Sequence, residues 1–419
     1  MAMRRSCVPR ATVLEAPRST RWEKYSDPQC TAGCAIKSCS GKWHPCCVTK
    51  AVEPHTYAPK SAEFPSLAFR LEYYFGVEDD RACPRFGRLK AKMRYDHAFL
   101  YSCGSPITGI ACKGSPCHPT YGNDIFRMCE AFGRPGATFA LTLGDRMVAN
   151  SGVIGKSRDV RTGCGAMLPL NTGRHWAPLG AERERKDDAH LMYSRWVFMR
   201  SALGRRNRTW ADSWLARWLK PKVPWASKQK DIVWRGTTTG CCCNAETYRP
   251  PSAPCVRKDF VQALGRRHNV KFIGPVVQKR HEWVAENWTF GERLSVGKQL
   301  SYRYILSLEG NDVATDLKWK LAQNSVVVMP PPTRESWLME GLLLPWVHYV
   351  PLYRPEDLES TLRWLDSHES ACLRIIANAR EWMRRVLQPA DFTPLLQALL
   401  VSPPDLSIDA SSRDFTDER

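Results

Sequence analysis

Apolar and polar positions alternate differently in the two halves of the chain. From Ala62 to Leu219 short apolar runs are separated by polar stretches, and the clearest, Ala137 to Leu143, ends at Gly144-Asp145. A short run with β-branched and aromatic members predicts a strand that delivers an acid to a loop. Lys220-Pro221-Lys222-Val223-Pro224 follows as a proline-stiffened stretch suited to joining two lobes. Beyond it the pattern predicts strands at 231–234, 270–273, 304–308 and 325–329, with helices at 258–267, 292–299 and 316–323 between them. Alternating β and α units argue for a parallel sheet covered by helices, with ligands at the carboxyl ends of the strands. This half reads as Rossmann-like. After Pro351, stretches 355–367 and 371–387 have helical spacing, with Leu373, Ile376, Ala379 and Met383 on one face. The expected organisation is an irregular leader at 1–60, a first lobe at 61–222, a second lobe with closing helices at 223–400 and a disordered polar tail at 401–419. No internal repeat interrupts it.

Length and composition fit this division. A chain of 419 residues is too long for one ordinary core. No apolar run approaches the roughly 18 to 20 residues that cross a bilayer, so no transmembrane segment is expected. The net charge of +19 is compatible with an anionic partner. Much of that excess is scattered, as in Arg183, Arg185, Lys186, Arg205, Arg206 and Arg208, which favours a solvated basic surface over a nucleic-acid stripe. The 17 cysteines are an odd number that does not fix the redox compartment. Met1 to Thr20 lacks the apolar stretch of a signal peptide, so either the protein is not secreted or this start is not the natural one. Cys30, Cys34, Cys39, Cys46 and Cys47 surround His44 without paired zinc-knuckle spacing, which favours disulfides or idle thiols over a metal.

The common nucleotide-binding signatures are missing. There is no GxGxxG, and Gly291 to Lys298 fails as a P-loop because Gln299 stands where Ser or Thr would hold magnesium. No Asp-x-Asp occurs either, so a nucleotide-sugar enzyme of this sequence would neutralise a diphosphate with cations and backbone N–H groups. Trp234-Arg235-Gly236-Thr237-Thr238-Thr239-Gly240, after a predicted strand, gathers a guanidinium, glycines and hydroxyls in one turn suited to phosphate.

A longer series follows in fixed order: Tyr302-Arg303-Tyr304, Glu309-Gly310-Asn311-Asp312, Leu317-Lys318, Asn324-Ser325 and Pro345-Trp346-Val347-His348-Tyr349-Val350-Pro351. With Trp234-Arg235-Gly236 ahead of it, this series resembles the CAP10 family, glycosyltransferase family 90. The resemblance implies an α/β, GT-B-like fold in which two Rossmann-like lobes face a cleft. It implies inverting transfer of glucose, xylose or a similar sugar from a UDP-sugar to a hydroxyl of a glycan, lipid-linked sugar or protein, with no cofactor and no required metal. Asp145, in Leu143-Gly144-Asp145, takes the place of the family's general base, with Asp159 as the alternative. Arg235, Thr237, Thr239, Asn311, Asp312, Ala314 and Lys318 overlie the donor segments, and Glu335 matches an acid suited to ribose hydroxyls. Asp316 and Thr238 stand where eukaryotic members carry Arg, a departure that resembles the lipopolysaccharide branch and weakens the case for a protein acceptor. His348 reads as structural, and Cys241, Cys242 and Cys243 as an insertion. The family's lumenal setting in the endoplasmic reticulum or Golgi competes with a cytoplasmic one. The sequons at Asn207 and Asn287 do not decide between them. A basic nucleic-acid-binding protein and a pseudoenzyme are the competing functional classes.

Overall fold

The computed structural model describes residues 64–76, 99–103, 111–112, 115–116, 125–126, 128–129, 132–142, 147–148, 152–160, 162–168, 219–240, 256–274, 276, 289–386 and 389–401. The expected leader, residues 402–419 of the expected tail, Asp145, Cys241 to Cys243 and the sequon asparagines Asn207 and Asn287 lie outside these residues, whereas Val401 ends the last helix.

Helix α1, Leu67–Phe75, opens with Ser66, whose hydroxyl accepts from the Phe69 amide at 3.2 Å and satisfies an otherwise unpaired helix-end donor. Short strands follow: β1 (Phe99–Ser102), β2 (Ala111–Cys112), β3 (Ser115–Pro116), β4 (Thr138–Leu141), β5 (Met147–Val148), β6 (Val153–Gly155), β7 (Ser157–Asp159) and β8 (Ala166–Met167). The predicted strand at Ala137 to Leu143 is thus present as β4. Strands β1, β4, β6 and β8 form one sheet in that order, in which β4, β6 and β8 are parallel. A disulfide joins Cys103 to Cys129 beside it.

From Gln229 the chain alternates as its pattern predicts: β9 (Gln229–Gly236), α2 (Val256–Leu264), β10 (Asn269–Phe272), α3 (Val296–Gln299), β11 (Tyr302–Leu306), α4 (Leu317–Ala322) and β12 (Val326–Met329). Strands β13 (Arg334–Ser336) and β14 (Val350–Pro351) precede helices α5 (Leu358–Ser367), α6 (Glu369–Val386) and α7 (Pro389–Val401). Strands β10, β9, β11, β12 and β14 make a five-stranded sheet in that order, parallel throughout. Both faces are covered. Ile232, Trp234, Tyr304, Leu306, Val326 and Val328 enter one core cluster, while Val233, Ile305, Val327 and Met329 enter the other. Successive residues on a strand point to opposite faces, so a sheet buried on both sides needs unbroken apolar runs, which these strands have. The second cluster also contains Tyr73, Tyr101, Phe139, Ile154 and Met167, so one core runs from the N-terminal elements to the parallel sheet.

Three local expectations change. The helix expected at 292–299 is confined to Val296–Gln299, capped by the Ser295 hydroxyl. On α6 the buried stripe is Cys372, Ile375, Ile376, Ala379, Trp382, Met383 and Val386, and Leu373 is 44% exposed. One residue is about 100° of helix, which carries Leu373 past the edge of that stripe. Helix α7, absent from the sequence reading, starts at Pro389, holds Pro394 internally and packs on α1 through a core that includes Leu395, Leu396, Leu399 and Leu400. No helix among the described residues is long and apolar enough to cross a membrane.

His348 is 3% exposed, its Nδ1 accepts from the Leu344 amide at 2.9 Å, and its ring packs on Trp382. That bond holds the ring neutral, and burial lowers its pKa from 6.5 to about 4. The folded-state pKa is below the unfolded one, so the stabilisation is full above pH 6.5 and is lost as pH falls toward 4. A shift of this size corresponds to about 3 kcal/mol. Urea unfolding of wild type should weaken across that window, and His348→Gln should flatten the dependence. An equal acid slope in the variant would assign the sensitivity to other groups.

Candidate functional site

In the parallel sheet the chain leaves β9 toward β10 on one side, while β11 lies on the other side of β9. At such a reversal the connecting loops diverge and leave a crevice at the carboxyl ends of the strands. The loops here are 237–240 and 307–316. They are tied closely. Gly240, at φ +82°, donates its amide to Asn311 Oδ1 at 2.8 Å, and a Cβ on it would stand 2.4 Å from the Gly310 carbonyl carbon and oxygen. Only glycine combines this backbone angle with that approach. The hydroxyls of Thr237 and Thr239 lie 3.1 Å apart on the same turn.

Arg257, near the start of α2, joins both loops. Its Nη1 donates to the Thr237 carbonyl at 3.0 Å and to Thr239 Oγ1 at 2.8 Å; its Nε and Nη2 donate to the carbonyls of Glu309 and Leu308 at 3.1 and 3.2 Å. The guanidinium also lies over the Trp234 ring. Arg334 holds the second loop from another direction, donating to the carbonyls of Gly310 and Asn311. The Glu309 carboxylate accepts from the amides of Thr333 and Arg334 at 2.8 and 3.0 Å. The Ser307 hydroxyl, at the end of β11, is buried and finds no hydrogen-bond partner among the described residues. Glycine turns, hydroxyls and guanidinium groups in one crevice can receive an anionic, hydroxyl-rich ligand.

The structure brings some predicted residues here and places others elsewhere. Thr237, Thr239 and Asn311 form the crevice loops. Arg235 points to the edge strand β10: its Nε donates to the Glu292 carbonyl at 2.7 Å, and its Nη groups donate to the Asn269 carbonyl and Oδ1 at 2.8 and 2.7 Å. Ala314 packs in the core at 5% exposure. Asp312 is paired with Lys156 at 2.7 Å and Glu335 with Arg158 at 2.9 Å, all essentially out of solvent. Lys318 is fully buried, donating to Ser336 Oγ at 3.0 Å and Glu340 Oε1 at 3.2 Å. Desolvation lowers its pKa, and the Glu340 charge works against that fall. Asp316 pairs with Lys320 at 2.6 Å. Asp159 Oδ1 accepts from the Thr162 amide at 3.3 Å and closes a turn.

Arg257, Arg334, Lys156 and Arg158 escape the sequence reading. Arg257 follows the Gly-Thr turn by some 20 positions without a motif of its own, and β7 offers only a short charged run. Nothing in spacing alone pairs residues so distant in the chain.

Comparison with known proteins agrees with the motif series. Residues 183–402, over half of the chain, match the model of glycosyl transferase family 90. O-glucosyltransferase LpsA of Dichelobacter nodosus is 36% identical over 188 residues, covering 43% of this chain and 50% of that protein. Uncharacterized protein 035R of Invertebrate iridescent virus 3 is 28% identical over 187 residues, 42% of this chain and 17% of the viral one. The chain therefore spans about half the length of the first relative and far less of the second. A parallel sheet with its glycine turns at the reversal point, a motif series running from Trp234 to Pro351 and a matching family model meet on the same residues. The chain belongs to glycosyl transferase family 90.

Proposed function

We propose that the protein transfers glucose or a similar sugar from a UDP-sugar to a hydroxyl of a glycan or lipid-linked sugar, with inversion and without a metal. The observation that carries this reading is the crevice at the β9–β11 reversal, where Arg257 and the Gly240–Asn311 bond hold two loops together. Similarity to an O-glucosyltransferase supports the sugar, and Thr238 and Asp316 in place of Arg support a glycan or lipid-linked acceptor.

In the proposed reaction the acceptor oxygen attacks the anomeric carbon from the side opposite the diphosphate. A new glycosidic bond forms as the bond from the sugar carbon to the phosphate oxygen breaks. Asp145 takes the acceptor proton, and UDP departs with the bonding electrons. The crevice stabilises that growing charge with fixed dipoles and the Arg257 guanidinium, a contribution larger in the transition state than in the bound donor. The lobes at 61–222 and 223–400 would supply acceptor and donor sides in a GT-B arrangement.

Release of UDP from a panel of UDP-sugars tests this directly. Turnover is expected for at least one sugar and is expected to survive EDTA. Loss of turnover on chelation with recovery in manganese would refute the metal-free reaction, and absence of both UDP binding and turnover would refute the donor reading.

A further inference from the structure

Strand β7 lies between β5 and β13 in a three-stranded sheet. Met147 and Val148 pair with Ser157 and Arg158 on one edge; Ser336 and Glu335 pair with the same two residues on the other. Side chains reinforce the strand pairing. Lys156, fully buried, places Nζ 2.7 Å from Asp312 Oδ2, and the Ser157 hydroxyl donates to the same oxygen at 3.2 Å. Arg158 donates from Nε to Glu335 Oε1 at 2.9 Å, from Nη1 to the Gly165 carbonyl at 2.8 Å and from Nη2 to the Tyr73 carbonyl. The Tyr73 hydroxyl donates to the other Glu335 oxygen. Gly341 completes the enclosure, since a Cβ there would meet Glu335 Oε2 at 2.7 Å.

Buried ion pairs are a poor route to stability, because apolar side chains of similar shape hold a fold as well without the cost of desolvating charge. Their distinctive property is direction: a charged hydrogen bond fixes two strands in one offset, where packed hydrocarbon tolerates several. The acids held here belong to the donor side, Asp312 being in the loop after β11. Arg158 stands on β7, the strand paired with β5, and Lys156 in the bend just before it; Asp145 precedes β5 by two positions in the sequence. One short sheet thus connects the segment carrying the proposed base with the donor loop.

We propose that Lys156 and Arg158 are positioning residues for transfer, holding the β5 segment at a fixed offset from the donor loop through Asp312 and Glu335. The proposal rests on the donor-crevice reading and on Asp145 as base. Misplacement of reacting groups by about 1 Å costs on the order of 100-fold in rate, so Lys156→Met should lower UDP-glucose turnover per folded molecule by about tenfold or more. UDP affinity, measured by calorimetry, should stay within about twofold, because Arg257, Arg334 and the Gly240–Asn311 bond still hold the crevice loops together. Lys156→Arg, which preserves the charge, should recover most of the rate.

Since Lys156→Met leaves Asp312 buried without its cation, the double variant Lys156→Met, Asp312→Asn serves where the single one fails to fold. It removes both charges and should show the same loss of turnover. Turnover falling only in step with the folded fraction, or falling together with UDP affinity, would reduce these residues to structural ones and overturn the proposal. Full turnover in the double variant would do the same. Wild type is measured first on the same plates: its failure to turn over any UDP-sugar refutes the donor reading itself, whereas normal wild-type turnover with a fully active variant refutes the positioning role alone.

Discussion

Asp145→Asn is expected to lower sugar transfer by about 100-fold or more while leaving UDP affinity unchanged, because a general base acts on the acceptor proton and not on the nucleotide. The substitution keeps side-chain size and one hydrogen-bonding oxygen but removes basicity. Strand β4 ends at Leu141, and the chain reaches Asp145 within a few residues and then β5. Strand β4 runs parallel to β6, and β6 to β8, so Asp145 follows the strand end at which α/β proteins place their chemistry. The alternative acid gives the control. Asp159 already accepts from the Thr162 amide in a turn, a bond that Asn also makes, so Asp159→Asn should retain transfer near the wild-type rate. Rates are measured as UDP release, and calorimetric titration with UDP on the same preparations separates catalysis from binding. Near-normal transfer by Asp145→Asn with collapse in Asp159→Asn would exchange the two roles.

The parallel sheet was legible because its strands are buried on both faces and leave continuous apolar runs such as Val326-Val327-Val328-Met329. The N-terminal elements were less so. Strands of two to four residues hold too few positions to show a period, and the buried face of α1 is made by Arg70, Tyr73 and Tyr74 and not by aliphatic residues. At α7 Pro389 falls in the first turn, where a proline loses no helical hydrogen bond, Pro394 lies inside the helix, and Leu395, Leu396, Leu399 and Leu400 supply the buried stripe, a leucine pattern crowded into the last turns and absent from the first. The site shows the same division. Motifs located the turns at Gly236 to Gly240 and Glu309 to Asp312, since glycine and hydroxyl content is a local property. Where a charged side chain goes depends on neighbours set by tertiary pairing: Arg235 meets Asn269 on the adjacent strand, Asp312 meets Lys156, and Glu335 meets Arg158. Sequence spacing carries no record of those partners.

Arg235 and Arg257 should therefore differ sharply when each is replaced by Ala. Arg257 touches both crevice loops, and its loss removes a positive charge together with the bonds to Thr237, Thr239, Leu308 and Glu309. A hydrogen bond involving a charged group contributes about 1.5 to 3 kcal/mol, so UDP affinity in Arg257→Ala should fall by roughly 10- to 100-fold. Arg235 is engaged with Asn269 and the Glu292 carbonyl at the sheet edge, and Arg235→Ala should bind UDP within about threefold of wild type while losing about 1 kcal/mol or more of stability. Calorimetry gives the first quantity and urea unfolding the second. Gly310→Ala adds a backbone test, since its Cβ would stand 2.8 Å from Arg257 Nη2 and must displace the guanidinium without removing it. An intermediate loss of UDP affinity in that variant would tie the effect to the position of the charge between the loops. The reverse ranking, with Arg235→Ala the weaker binder of UDP, would move the diphosphate from the β9–β11 crevice to the face of β10, where Arg235, Lys271 and Gly291 stand together.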